Sequence, residues 1–150
     1  MKSVFQIIAA AACAIALVAC GGGGDAGTAA PVGVAPPTVL KIDDVAIGTG
    51  AEATAGKTVG VRYTGYLYDG TKSDLRGKQF DSNAAAAAPY SFALNSGDVI
   101  SGFNNGVLGM KVNGKRVVTV PPSQAYGANG TIGIPGNSTL IFEIELISVK

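Results

Sequence analysis

The sequence predicts an α+β domain in which an antiparallel sheet of about five strands wraps over one short helix. Outside the N-terminal stretch, apolar residues recur at helical spacing only in Gly97–Met110. There Val99, Phe103 and Val107 fall at i, i+4 and i+8, and Phe103, Val107 and Met110 at i, i+4 and i+7. Five other segments alternate apolar with polar residues, or are rich in β-branched and aromatic ones, between Gly, Pro and Asn turn signals. No internal repeat is visible, and 150 residues suit one domain.

The chain opens on a targeting segment. Lys2 supplies the charged end, and the apolar run Val4 to Val18, interrupted by Gln6, is shorter than the roughly 20 residues a bilayer-spanning helix needs. It has the layout of a secretory signal. Its end, Leu17-Val18-Ala19-Cys20, resembles the lipobox of bacterial lipoproteins. That resemblance implies removal of residues 1–19, lipid on the sulfur and amine of Cys20, and attachment to a membrane through that lipid alone. Gly21, in place of Asp, resembles the outer-membrane sorting signal of Gram-negative cells, which implies a protein facing the periplasm or the cell surface. Cys13 leaves with the signal, so no disulfide is expected. Residues 20–37 read as the lipidated Cys and a Gly/Ala/Pro tether, in which Asp25 is the one charge. Random-coil scaling gives that tether a span of roughly 20–25 Å, close to the membrane but outside it.

The folded domain, 38–150, starts with a strand pattern in Thr38–Ile47 that Gly48-Thr49-Gly50 breaks. Thr58–Tyr68 is a second strand, and Asp69-Gly70 a strong turn signal. The polar run Thr71–Gln79 reads as a surface loop. Ala84–Ala88 has helical propensity but is short, uncapped and closed by Pro89. Tyr90–Leu94 alternates again, and Asp98 is placed to cap the helix that follows. Gly102, Gly106 and Gly109 each cost that helix about 1 kcal/mol against Ala, so packing must hold it. An Asn113-Gly114 turn leads into the strand Arg116–Val120, stopped by Pro121-Pro122. A Gly-rich loop, Ser123–Ser138, precedes the last strand, Thr139–Val149. In it Leu140, Phe142, Ile144 and Leu146 share one face, and Glu143 and Glu145 take the other.

Composition excludes whole classes of chemistry. With no His, and no Cys left in the mature chain but the lipidated Cys20, a Ser nucleophile lacks its usual base and His metal sites are impossible. Ten scattered carboxylates show no metal-ligand spacing, so neither a metal nor another cofactor is expected. Eleven cationic against ten anionic residues point to no nucleic-acid partner. What remains is a set of aromatic and branched residues near loops: Tyr63, Phe80, Tyr90, Phe103, Tyr126, Ile134 and Phe142. Taken singly, most are ordinary core candidates. Tyr126, between glycine-rich turns, is the hardest to place in a core.

Val61-Arg-Tyr-Thr-Gly65, Phe80-Asp81-Ser82, Val99-Ile100-Ser-Gly-Phe103, Ala125-Tyr126-Gly127 and Leu140–Leu146 together resemble the FK506-binding-protein type of peptidyl-prolyl cis–trans isomerase. The five blocks run in family order across the whole of 38–150. The resemblance implies an antiparallel half-barrel curled around the helix, with a shallow apolar pocket between them. It places Ile100 and Phe103 on the floor, Phe103 standing where most members have Trp. Tyr63, Phe80, Tyr90 and Phe142 form the walls, Val99 offers backbone groups at the rim, and Ile134 sits in a flap. Asp81, Tyr126 and Tyr63 are the implied catalytic residues: Asp81 bonds the Tyr63 phenol and faces the twisting amide, and Tyr126 holds a substrate carbonyl. The implied partners are proline-containing polypeptides and macrolides of the FK506 and rapamycin type, bound by a monomer. Three departures stand out: nine residues in Thr71–Gln79 where two are usual, no Arg in Ala84–Ala88, and a flap about one residue short. The competing reading is a binding module, a chaperone or surface adhesin that grips proline segments without turnover.

Overall fold

A computed structural model describes residues 33–150. The signal segment, Cys20 and most of the tether lie outside the described residues. Six strands form one antiparallel sheet: β1 (Lys41–Ala46), β2 (Thr58–Tyr68), β3 (Arg76–Ser82), β4 (Tyr90–Ala93), β5 (Lys115–Val120) and β6 (Leu140–Val149). The order is β1-β5-β6-β2-β3, with β4 also paired to β2. One helix, α1 (Ser101–Val107), packs against β5 and β6.

Strand β2 organises the sheet. One edge pairs along most of its length with β6, from Val59↔Val149 to Leu67↔Leu140. The other edge is shared: Thr58–Val61 pairs with β4 and Thr64–Tyr68 with β3. The gap between those partners is closed by a side chain. Asn83 Oδ1 accepts the Tyr63 N–H at 2.6 Å, Asn83 Nδ2 donates to the Val61 carbonyl at 3.1 Å, and the Asn83 N–H donates to the Tyr63 carbonyl at 3.0 Å. A primary amide thus stands in for a peptide group, so the backbone polar groups stay satisfied where the sheet edge changes partner.

Helix α1 is held from the sheet side. Gly102 and Gly106, at i and i+4, face Val120 and Val118, at i and i+2 of β5. A Cβ on Gly106 would come within 2.7 Å of a Val118 methyl, and one on Gly102 would meet Val120 more closely still. Arg116 of β5 reaches over the helix end, where its guanidinium donates to the carbonyls of Gly106 (2.8 Å) and Leu108 (3.1 Å) and to Asp44 of β1 (2.6 Å). A cation at the C-terminus satisfies orphan carbonyls and the negative end of the dipole. Phe103 and Val107 point inward, into a core with Val59, Val61, Phe92, Val118, Val120, Leu140, Phe142, Ile144 and Leu146.

Four expectations from the sequence are corrected. The helix is shorter than Gly97–Met110, because Gly97 (φ +87°) and Gly109 (φ +77°) take left-handed conformations at either side. Asp98 is not its cap: Ile100 occupies that position without a side-chain bond, and Asp98 instead accepts from the Ser96 hydroxyl. Arg76–Gln79, read as loop, belongs to β3 and makes the sixth strand. Its polar run hides the pattern because its anchors are outward-facing, with the Arg76 guanidinium on Glu143 and 5.9 Å over the Tyr66 ring. The end of the tether is also engaged. The Val34 N–H donates to the Gly70 carbonyl at 2.9 Å, and the Tyr68 hydroxyl contacts the Val34 and Ala35 carbonyls at 3.1 and 3.2 Å. Ala84–Ala88 forms no helix.

Packing at Gly102 yields a sign test. Ala is the better helix former by about 1 kcal/mol, yet Gly102→Ala should destabilise the domain by about 1–3 kcal/mol because Val120 is overpacked. Urea midpoints at constant m-value measure this. An unchanged or raised midpoint would show that the close approach is not a constraint.

Candidate functional site

A cleft of about 520 Å³ opens between the sheet and the loops around α1. Phe103 lies at its base, 4% exposed, because it is the inward residue of a helix pressed onto β5. Its ring packs edge-on against Tyr63 (5.4 Å between centroids) and Phe142 (5.1 Å), and is backed by Phe92 at 5.8 Å. Tyr63 also meets Tyr90 at 6.1 Å and Phe142 at 6.3 Å, and Phe80 meets Phe142 at 5.7 Å and 90°. Each edge-to-face pair contributes about 0.5–1.5 kcal/mol beyond area burial. Gly65 makes the Phe80–Phe142 contact possible, since a Cβ there would meet the Phe80 ring at 2.6 Å and Phe142 at 3.1 Å.

The polar groups are few. Asp81, near the end of β3, accepts the Tyr63 hydroxyl on Oδ2 at 2.6 Å and the Ser82 N–H on Oδ1 at 2.8 Å. Tyr126 follows the 3-10 turn Pro122–Gln124 and is 38% exposed at the mouth. Burial pushes the Tyr63 phenol well above the ordinary tyrosine range, and the Asp81 hydrogen bond and charge push it further. Burial also raises Tyr126, with a smaller push from the Asp81 charge. Both phenols therefore remain protonated donors through neutral pH.

Ten residues expected at the site are Tyr63, Phe80, Asp81, Tyr90, Val99, Ile100, Phe103, Tyr126, Ile134 and Phe142. All of them line the cleft except Ile134. Ile134 is corrected: at 5% exposure it packs into the core, while its neighbour Ile132, at the tip of the Thr131–Ile134 turn, stands free in solvent. The turn at Gly133 (φ +80°) reverses the chain and sends the second isoleucine inward.

Sequence reading missed Gly97 and Asp98, which complete the rim, and Asn83, which fixes Tyr63 two residues beyond Asp81. Asn83 follows Phe80-Asp81-Ser82 directly, but its bonds to β2 span twenty residues and leave no local signal. The rim loop is clasped to the helix by two asparagines. The Asn95 N–H donates to Asn104 Oδ1 at 2.8 Å, and Asn104 Nδ2 donates to Asn95 Oδ1 at 2.6 Å. Asn95 takes φ +67°, a conformation asparagine tolerates.

An antiparallel sheet around one short helix, with an aromatic cleft at its open side, is an FKBP-like fold. The chain belongs to the FKBP-type peptidyl-prolyl cis-trans isomerase family, whose model matches residues 50–147. It is 44% identical over 123 residues to FK506-binding protein 4 of Aspergillus oryzae, covering 82% of this chain and 24% of that protein. The chain thus spans about a quarter of the length of that curated relative. Among solved structures, AtFKBP13 is 33% identical with a TM-score of 0.64, covering 77% of this chain and 96% of that one. FkpA from Escherichia coli is 39% identical with a TM-score of 0.64, covering 79% and 52%.

An alkaline titration read by phenolate absorbance should show Tyr63 and Tyr126 ionising above the ordinary tyrosine range. Asp81→Asn should bring Tyr63 downward, since it removes a charge and weakens the bond that holds the proton. Because the folded value is the raised one, this contribution to stability is complete below about pH 10 and is lost as pH climbs through the folded value. A Tyr63 titration unmoved by Asp81→Asn would disconnect the two groups.

Proposed function

We propose that the chain is a peptidyl-prolyl cis–trans isomerase acting on proline-containing segments of extracytoplasmic proteins, anchored at a membrane by lipid on Cys20. The observation that carries this is the aromatic floor and walls around Phe103, with protonated phenols and a carboxylate and no Ser–His or Cys–His pair among the lining residues. Rotation about X–Pro needs no nucleophile. Amide resonance sets a barrier of about 18–20 kcal/mol, and the twisted transition state has less charge separation than the planar amide. A pocket poor in water favours that state over the planar one. The prolyl ring rests on Phe103 and Ile100 between Tyr63, Phe80, Tyr90 and Phe142. Tyr126 donates to the substrate carbonyl, and the Val99 backbone meets the peptide at the rim. Asp81, fixed by Tyr63 and Ser82, faces the rotating amide. Family membership supports each of these roles, and it extends the ligand class to macrolides of the FK506 type.

The extracytoplasmic, lipoprotein part of the reading rests on Leu17-Val18-Ala19-Cys20 and the Gly-rich tether. The family match, at 50–147, does not include that segment.

Isomerisation of a short X–Pro peptide by the full chain tests the activity. Asp81→Ala should lower the acceleration strongly. Tyr126→Phe should cost the 0.5–1.5 kcal/mol of about one hydrogen bond, roughly two- to tenfold. A pocket-filling macrolide should abolish it. No acceleration by folded wild type rules out catalysis and leaves a non-catalytic proline-segment binder, chaperone or adhesin. Independently, expression in a Gram-negative host with labelled palmitate should mark the wild type in the membrane fraction, and Cys20→Ser should abolish the label. An unlabelled wild type overturns the anchor.

A further inference from the structure

Every polar group of Tyr63 is bonded by three consecutive residues, Asp81-Ser82-Asn83, where β3 ends. The hydroxyl donates to Asp81 Oδ2 and the N–H to Asn83 Oδ1, both at 2.6 Å. The carbonyl accepts the Asn83 N–H at 3.0 Å and the Ser82 hydroxyl at 3.2 Å. Asn83 also donates through Nδ2 to the Val61 carbonyl at 3.1 Å, so it grips β2 on either side of Arg62. The regular β2–β3 register stops just before it, at Thr64↔Ser82, and the Asn83 carbonyl turns away to accept the Ala86 N–H. Asn83 is half-buried between exposed neighbours, Ser82 and Ala84, and does not line the cleft. It reaches the site only through Tyr63 and through the short chain it shares with Asp81.

Asp81 depends on that grip. It stands opposite Gly65, so the Tyr63 phenol reaches it along a cross-strand diagonal, roughly 7–8 Å between backbones. No cation pairs with the carboxylate among the described residues, and its other bond is local, from the Ser82 N–H. The Tyr63 hydroxyl therefore sets its direction, and the backbone bonds to Asn83 set where that hydroxyl stands. The rings of Phe103 and Phe142 are carried separately, by α1 and β6.

We propose that Asn83 is a positioning residue for isomerisation, holding Tyr63 and the Asp81 carboxylate in the geometry that meets the twisting peptide bond. This rests on the isomerase reading above. Catalysis without a covalent step depends on where the groups around the amide stand, and a misplacement of about 1 Å costs up to about a hundredfold. Without Asn83 the Tyr63 ring stays among Tyr90, Phe103 and Phe142, while its hydroxyl and Asp81 lose their fixed places. The floor still takes the prolyl ring, so kcat falls more than KM rises.

The test uses the full chain and a short X–Pro peptide, with urea midpoints checking that each variant folds. Asn83→Ala should lower kcat/KM roughly tenfold, mostly through kcat. Asn83→Ser, whose hydroxyl replaces one of the two side-chain bonds, should recover part of that loss. The decisive comparison is made in the Asp81→Ala background. There Asn83→Ala should cost less than about twofold, because a residue acting through Asp81 has nothing left to position. Equal losses in the two backgrounds, or an unchanged rate in Asn83→Ala, overturn the proposal. If Asn83→Ala does not fold, Asn83→Ser is compared in the same two backgrounds, and an unchanged rate then overturns it. NMR of 13C-labelled tyrosine gives a readout independent of turnover. Burial first, then the Asp81 bond, raises the Tyr63 phenol. Loosening that bond should let Tyr63 ionise at lower pH in Asn83→Ala than in wild type, and an unmoved titration overturns the proposal whatever the rates. If wild type accelerates no peptide, the isomerase reading falls, and this titration alone decides whether Asn83 positions the pair.

Discussion

The contact of Gly102 and Gly106 with Val120 and Val118 is the constraint from which the rest of the site follows. A seven-residue helix containing two glycines has neither the length nor the propensity to persist in water. It exists because the missing side chains let its backbone settle against β5, where burial of Phe103 and Val107 offsets the cost of ordering it. Arg116 then closes the helix end from the same strand, which explains why the last turn carries no basic residue of its own. The sheet therefore fixes the helix, and the helix fixes the height of the Phe103 ring.

Once that ring is placed, its neighbours have little freedom. Tyr63, Phe92 and Phe142 pack around it, each contributed by a different strand. Tyr63 is fixed twice more, through its backbone by Asn83 and through its hydroxyl by Asp81. Asn83 and Asp81 lie two residues apart, so one short stretch of chain closes the gap in the sheet edge and presents the carboxylate. No Ser, Cys or His lines the cleft. What it offers is a preorganised aromatic surface with a few fixed polar groups.

The elements legible in the sequence were those that carry their own pattern. Strands β2 and β6 alternate strongly, and the structure starts and ends them within a residue of the reading. The helix was overextended because apolar spacing continues through Val99 and Met110, while the left-handed glycines that end it are silent in a periodicity count. Strand β3 was half hidden because Arg76–Gln79 pairs by backbone and anchors by charge, with no apolar alternation to show. The floor and walls were legible through the motif blocks. Ile134 was misplaced because spacing along a turn does not say which of two isoleucines faces in. Asn83 and the Asn95–Asn104 clasp are tertiary bonds, invisible until strands and helix are assembled.

The division between floor and rim also bears on where selectivity can reside. Tyr63, Phe103 and Phe142 each touch two or more other rings edge-on, so a change in one moves the rest and with them the surface of the cleft. Rim residues are different. Gly97 and Asp98 lie in a loop whose backbone is secured by the Asn95–Asn104 pair, and Tyr126 follows a 3-10 turn closed by backbone bonds from Ala125 and Gly127 to Pro122. Their side chains can differ in charge or size while the loop holds its course and the floor is undisturbed. The rings thus form one interlocked surface, and the rim is the part of the cleft that can vary without disturbing it. In this chain the rim carries Asp98, an exposed carboxylate that neither caps the helix nor pairs with a cation among the described residues.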